Sequence, residues 1–157
     1  MNSSKEVRSN DGGHKADEAA IRALLDLQIS SWDAGDPIGY ASAYMDRGDC
    51  VSFLGGHHRG RDAIAASSEV PREGSLVRRL LRGAHLRYEL TDLRFITPDV
   101  AVIHASCGVA KGSRLSRRNL RINTSVAVRT DNGWLLAATQ NTTHRPFAEA
   151  LMRRLVG

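Results

Sequence analysis

The stretch LRINTSVAVRTDNGWLLAATQNTT, residues 120–143, decides the fold. Two runs of alternating character, Leu120 to Arg129 and Trp134 to Thr143, flank Thr130-Asp131-Asn132-Gly133, a turn composition, and so predict a β-hairpin. Working outward, the same period of two runs through His85 to Ile96 and Val100 to Ala110, with Thr97-Pro98-Asp99 as the turn between them. Before Pro71 the period is different. From Ala16 to Ala34, residues Ile21, Leu24, Leu25, Gln28, Ile29 and Trp32 recur at three- and four-residue steps, which predicts a helix with one buried face that ends at Gly35. Asp36-Pro37 begins a second, short helix on which Ile38, Ala41 and Tyr44 or Met45 face inward. Val51 to Leu54 reads as a short strand, Gly55-Gly56 as a turn, Gly60 to Ile64 as the start of a third helix and Arg145 to Val156 as a short terminal helix. Helices first and a meandering antiparallel sheet after them make an α+β layout.

The 157 residues suit one domain. Residues 1–15 are polar and predict a disordered tail, 16–146 the domain, and 147–157 a short helix or tail. No run of eighteen apolar residues predicts a membrane helix, and the polar first fifteen residues lack the apolar core of a secretion signal, so a cytoplasmic protein is expected. Cys50 and Cys107 make neither a disulfide framework nor a metal set. The adjacent His57 and His58 lack a partner that would complete a metal site, and Gly55-Gly56 lacks the lysine and spacing of a phosphate loop. No metal and no cofactor are therefore expected. The net charge of +5 raises nucleic acid, but the arginines are scattered from Arg22 to Arg154 and only three phenylalanines are available, which argues against it.

Trp32-Asp-Ala-Gly-Asp36, Gly60-Arg-Asp-Ala-Ile64, Phe95-Ile-Thr-Pro-Asp-Val100 and Gly133-Trp134 through Thr142, in that order, resemble the nuclear transport factor 2-like superfamily, which includes ketosteroid isomerase and the SnoaL-like cyclases. Within it they are most similar to the SgcJ/EcaC branch, associated with natural-product clusters that include those for enediynes. The resemblance covers Ala16 to about Pro146. It implies a cystatin-like cone, in which a curved antiparallel sheet wraps the long first helix and leaves a cavity. It also implies a homodimer paired through the open side of the sheet.

Pairing Arg129 with Trp134 across the turn sets Ala127 opposite Leu136, Ser125 opposite Ala138 and Asn123 opposite Gln140, so Asn123, Ser125, Ala138, Gln140 and Thr142 share one face. A slip of one residue would reverse the assignment. The resemblance makes that face the cavity wall, with Gln28, Trp32, Tyr44 and Phe53 as further ligand-binding candidates. Asn123 and Gln140 either meet a ligand's carbonyl or hydroxyl or bond each other across the strands.

Carried over residue by residue, the isomerase's base falls on Leu54, with Phe53 beside it, its tyrosine on Gln28 and its acid on Ser125, so none of the three roles survives. The remaining acid–base candidates are His104, His85 and Glu89, although the superfamily register turns Ala101, Ile103, Ala105 and Cys107 toward the cavity and His104 away. The basic link Lys111, Arg114, Arg117, Arg118 and Arg121 is either a solvated loop or a dock at the pocket mouth for an acidic carrier protein. The functional expectation is a pocket protein that binds or orients an apolar polyketide- or polyene-like intermediate. The alternative is a cofactor-independent cyclase, isomerase or hydrolase working by acid–base chemistry.

Overall fold

A computed structural model describes residues 11–69, 76, 81–112, 115 and 120–156 of the chain. Helix α1 (Asp11–Ala34) buries Ile21, Leu25 and Gln28 of the stripe its spacing predicts, and Ser31 beside them. It starts five residues before Ala16, so residues 11–15 of the expected tail are helical, while 1–10 lie outside the described residues. Gly35 ends it in the left-handed region at φ 68°, and the Asp36 amide donates back to the Ser31 carbonyl at 2.8 Å. Helix α2 (Pro37–Ser42) is capped by Asp36, whose carboxylate accepts from the Gly39 amide at 2.9 Å.

The next segment corrects the sequence reading. Tyr44 does not belong to α2; it opens strand β1 (Tyr44–Val51), and of the strand expected over Val51 to Leu54 only Val51 is extended, as the last residue of β1, with Phe53 and Leu54 in the turn beyond it. Asp46-Arg47-Gly48 sits in a wide irregularity of β1, where four residues, Met45 to Gly48, stand against the single Ala137 between paired positions of the neighbouring strand. Polar residues at such a bulge do not alternate, so the period-two signal is lost. Gly48 suits the close approach there, since a Cβ would stand 3.1 Å from the Leu136 carbonyl oxygen and push that backbone aside by a few tenths of an ångström. Strand β2 (His57–Arg59) and helix α3 (Gly60–Ser68) follow.

Strands β3 (His85–Thr97), β4 (Val100–Ala110), β5 (Arg121–Thr130) and β6 (Gly133–Thr143) form the meander, and helix α4 (Pro146–Val156) closes the chain. The six strands make one curved, unclosed sheet in the order β2-β1-β6-β5-β4-β3, antiparallel throughout except for β1 beside β6. Its concave face covers α1. A carboxylate pins that helix near each end. Asp17 accepts from Trp134 Nε1 at 3.0 Å and pairs with Arg129 at 2.6 Å, while Asp33 accepts from the Leu86 amide at 2.9 Å. No helix among the described residues is long and apolar enough to cross a membrane.

Candidate functional site

Strand pairing arranges the concave face in rows. From one end to the other they read Phe95–Ala101–Ala127–Leu136, Leu93–Ile103–Ser125–Thr139, Leu90–Ala105–Asn123–Asn141 and Tyr88–Cys107–Arg121–Thr143. The first rows pack against Ile21 and Leu25 as a solid core. The third is a polar belt in which Asn141 Oδ1 accepts from Asn123 Nδ2 at 3.0 Å and from Cys107 Sγ at 3.4 Å, and Ser125 Oγ donates to Asn123 Oδ1 at 2.6 Å. Beyond the belt the interior opens.

There a cavity of about 160 Å³ lies between the end of α1, α2, the β1–β2 turn and the fourth row. Its apolar walls include Trp32, Phe53, Leu86 and the rings of Tyr40 and Tyr88, and its polar groups include His58, Arg121 and Asn141. No lining residue among those described carries a carboxylate. Burial pushes the Tyr40 phenol up to about 12 and raises Tyr44 and Tyr88 well above the ordinary tyrosine value. Burial also pushes the Cys107 thiol up to about 11 against the opposing pull of Arg121. At neutral pH Cys107 is therefore a thiol, a hydrogen-bond donor to Asn141 rather than a nucleophile. A cavity walled by rings, with neutral donors and one cation at its rim, can hold and orient an organic molecule.

The structure divides the sequence-predicted residues into three groups. Trp32 and Phe53 line the cavity. Tyr44, Gln28, Asn123 and Ser125 are buried on the concave side without lining it; Tyr44 Oη is hydrogen-bonded to Thr139 Oγ1 at 2.8 Å, and Gln28 Nε2 has no partner among the described residues. Ala138, Gln140 and Thr142 are on the opposite face, which corrects the expected wall. The predicted pairs Arg129–Trp134 and Ala127–Leu136 form, but β6 then accommodates Ala137 as an extra residue, so Val126 meets Ala138 and Ser125 meets Thr139. One inserted residue inverts the facing of everything after it. Asn141, not Gln140, is the amide turned inward, and the hydrogen bond across the strands runs from the Asn123 amide to that of Asn141.

The acid–base candidates are likewise displaced. His104 faces outward and its Nδ1 lies 3.2 Å from Thr124 Oγ1. Glu89 is exposed on the outer face. His85 is tied to Asp33 at 3.0 Å at the foot of α1 and is half-exposed. None lines the cavity. Of the basic link, Arg114, Arg117 and Arg118 lie outside the described residues, Lys111 is exposed, and Arg121 reaches the cavity. Sequence reasoning missed Tyr40, Cys50, His58, Tyr88 and Asn141. Tyr88 was legible in the alternation Leu86, Tyr88, Leu90; Cys50 and His58 were not, because β1 and β2 carry no clear alternation.

A long helix under an open, curved sheet, with a ring-walled cavity at one end, defines a cystatin-like α+β fold. Solved structures bear the fold out. The chain is similar to a domain of unknown function with a cystatin-like fold from Nostoc punctiforme (TM-score 0.71, 24% identity, 88% of this chain and 84% of that one). It is similar to an NTF2-like protein with a cystatin-like fold from Novosphingobium aromaticivorans (0.66, 22%, 97% and 99%). A candidate scytalone dehydratase from the same organism shares the fold at 0.67, with 14% identity over 86% of this chain and 89% of that one. No protein-family model matches the sequence, and neither does any curated protein.

Proposed function

We propose that the protein binds a small, mostly apolar organic molecule at the open end of the cone and holds it in a fixed orientation. The observation that carries this reading is the 160 Å³ cavity walled by Trp32, Tyr40 and Tyr88 without a carboxylate among its described lining. An apolar cavity of about 150 Å³ accommodates benzene, so the space takes one ring, or one end of a longer polyketide or polyene chain whose remainder stays outside. The setting we infer, natural-product biosynthesis of the enediyne kind, rests on the resemblance of Trp32–Asp36 and Gly60–Ile64 to the SgcJ/EcaC branch. The expected homodimer is supported by the outer face of the sheet, where Val100, Val102, Val126, Val128 and Leu135 are only partly covered.

The test uses toluene and phenol as probes. Saturable binding, with shifts confined to resonances of Trp32, Leu86 and Tyr88 and abolished by filling the space with Leu86→Trp, is the expected result. Toluene and phenol shifting the wild type and Leu86→Trp alike would end the proposal.

His58 favours one second reading. It is the one histidine lining the cavity among the described residues, so isomerase- or dehydratase-type chemistry would run through it and not through His104. Turnover lost in His58→Ala with probe binding intact would favour the enzyme.

A further inference from the structure

The pocket carries an unusual cation. Arg121 opens β5 and stands between Cys107 and Thr143 in the fourth row, so its side chain shares the concave face with Tyr88. It lines the cavity, and its guanidinium carbon lies 3.5 Å from the centre of the Phe53 ring. That stacking engages the face of the guanidinium and leaves its in-plane N–H donors to be satisfied elsewhere. Arg59, Arg61, Arg94, Arg129 and Arg153 each pair with a carboxylate. Like Arg22, Arg47, Arg82, Arg87, Arg145 and Arg154, Arg121 pairs with no carboxylate among the described residues; what sets it apart is its place in the cavity, where burial lowers its pKa. A partly desolvated cation among aromatic rings is unfavourable until an anion reaches it.

The other polar groups of the cavity point the same way. Asn141 Oδ1 is occupied by Asn123 and Cys107, so its Nδ2 is the amide group left for a guest, and it is a donor. Ser67 and Ser68 spend their protons on the Ile64 and Ala65 carbonyls of their own helix. The cavity thus offers one ring-sized apolar space, a cation at its rim and no negative charge among its described lining.

We propose that the guest is a one-ring aromatic carboxylate, its ring held among Trp32, Tyr40 and Tyr88 and its acid group paired with Arg121 beside Phe53. The inference rests on the pocket reading above and narrows it to a ligand class. A guanidinium fork matches a carboxylate in two parallel hydrogen bonds, which sets the ring's orientation as well as its affinity.

The experiment titrates wild-type protein with benzoate, benzyl alcohol and benzylamine, which share a ring and differ in charge. Expected at low salt is benzoate binding about tenfold tighter than benzyl alcohol, with benzylamine weakest. In Arg121→Gln the benzoate preference falls by about the same factor while benzyl alcohol is held as before; in Arg121→Lys part of the preference returns. The wild-type series decides the matter even where a variant folds poorly. Benzyl alcohol or benzylamine binding as tightly as benzoate would overturn the anion inference and leave the pocket reading standing. None of the three binding saturably would overturn both.

Discussion

The two ends of the concave face use the same four strands to opposite effect. At the packed end, Ala101, Ile103, Ala127 and Leu136 are fully buried against Ile21 and Leu25, and Trp134 sits edge-on to Phe95 at 5.8 Å. At the open end β4 supplies Cys107, Gly108 and Val109, α1 ends at Ala34 just past Trp32, and the space stays unfilled. Close packing is what an interior ordinarily adopts, so a cavity persists only where the residues around it are held by something else. Here the polar belt of Asn123, Ser125 and Asn141 separates the two ends and fixes the spacing of the strands between them. The lesson is that one row of hydrogen-bonded side chains lets a small domain keep a solid core and a hole within the same sheet.

Three measurements would break or sharpen that contrast. The largest effect belongs to the packed end: Ile103→Ala leaves a void in a filled region and should lower unfolding free energy by about 3 kcal/mol in urea titrations. Leu86→Ala at the cavity wall, where space already exists, should cost roughly half as much. Equal losses would mean that the open end is as tightly packed as the other.

Acid titration tests the pin that holds α1 at the packed end. The hydrogen bond from Arg129, then that from Trp134, holds the Asp17 carboxyl below its ordinary value of 3.8. With the folded value lowered, the unfolded chain takes up the proton first, so the stabilisation is complete above the ordinary value and is lost as pH falls through the folded one. Wild type should lose stability steeply in that acid range, and Asp17→Asn should be flatter there, with a melting temperature a few degrees lower at neutral pH. Parallel acid curves for the two proteins would show that the charge does not set the pin.

The smallest effects come from β6, where adjacent amides differ in facing. Asn141→Ala removes the acceptor of both Asn123 and Cys107 and should cost about 1–2 kcal/mol. Gln140→Ala, on the outer face, should stay within about 0.5 kcal/mol and leave probe binding unchanged. The reverse order would place the bulge elsewhere.

Periodicity alone made much of this molecule legible. The stripe from Ile21 to Trp32 located α1 and the alternation in Val100 to Ala110 located β4, while the superfamily resemblance chose Ala101, Ile103, Ala105 and Cys107 as its inner set, all of which are buried. Those signals are local: each residue's facing follows from its neighbours in the chain. What only the tertiary structure decided lies where facing depends on another strand. The extra residue at Ala137, set by β5 on one side of β6 and β1 on the other, exchanged Gln140 for Asn141 as the inward amide. The same dependence hid β1, whose charged middle forms a strand only because β6 pairs with its ends. A bulge leaves no mark on the pattern of apolar and polar residues beyond reversing it, and a reversed alternation reads the same from the sequence as a correct one.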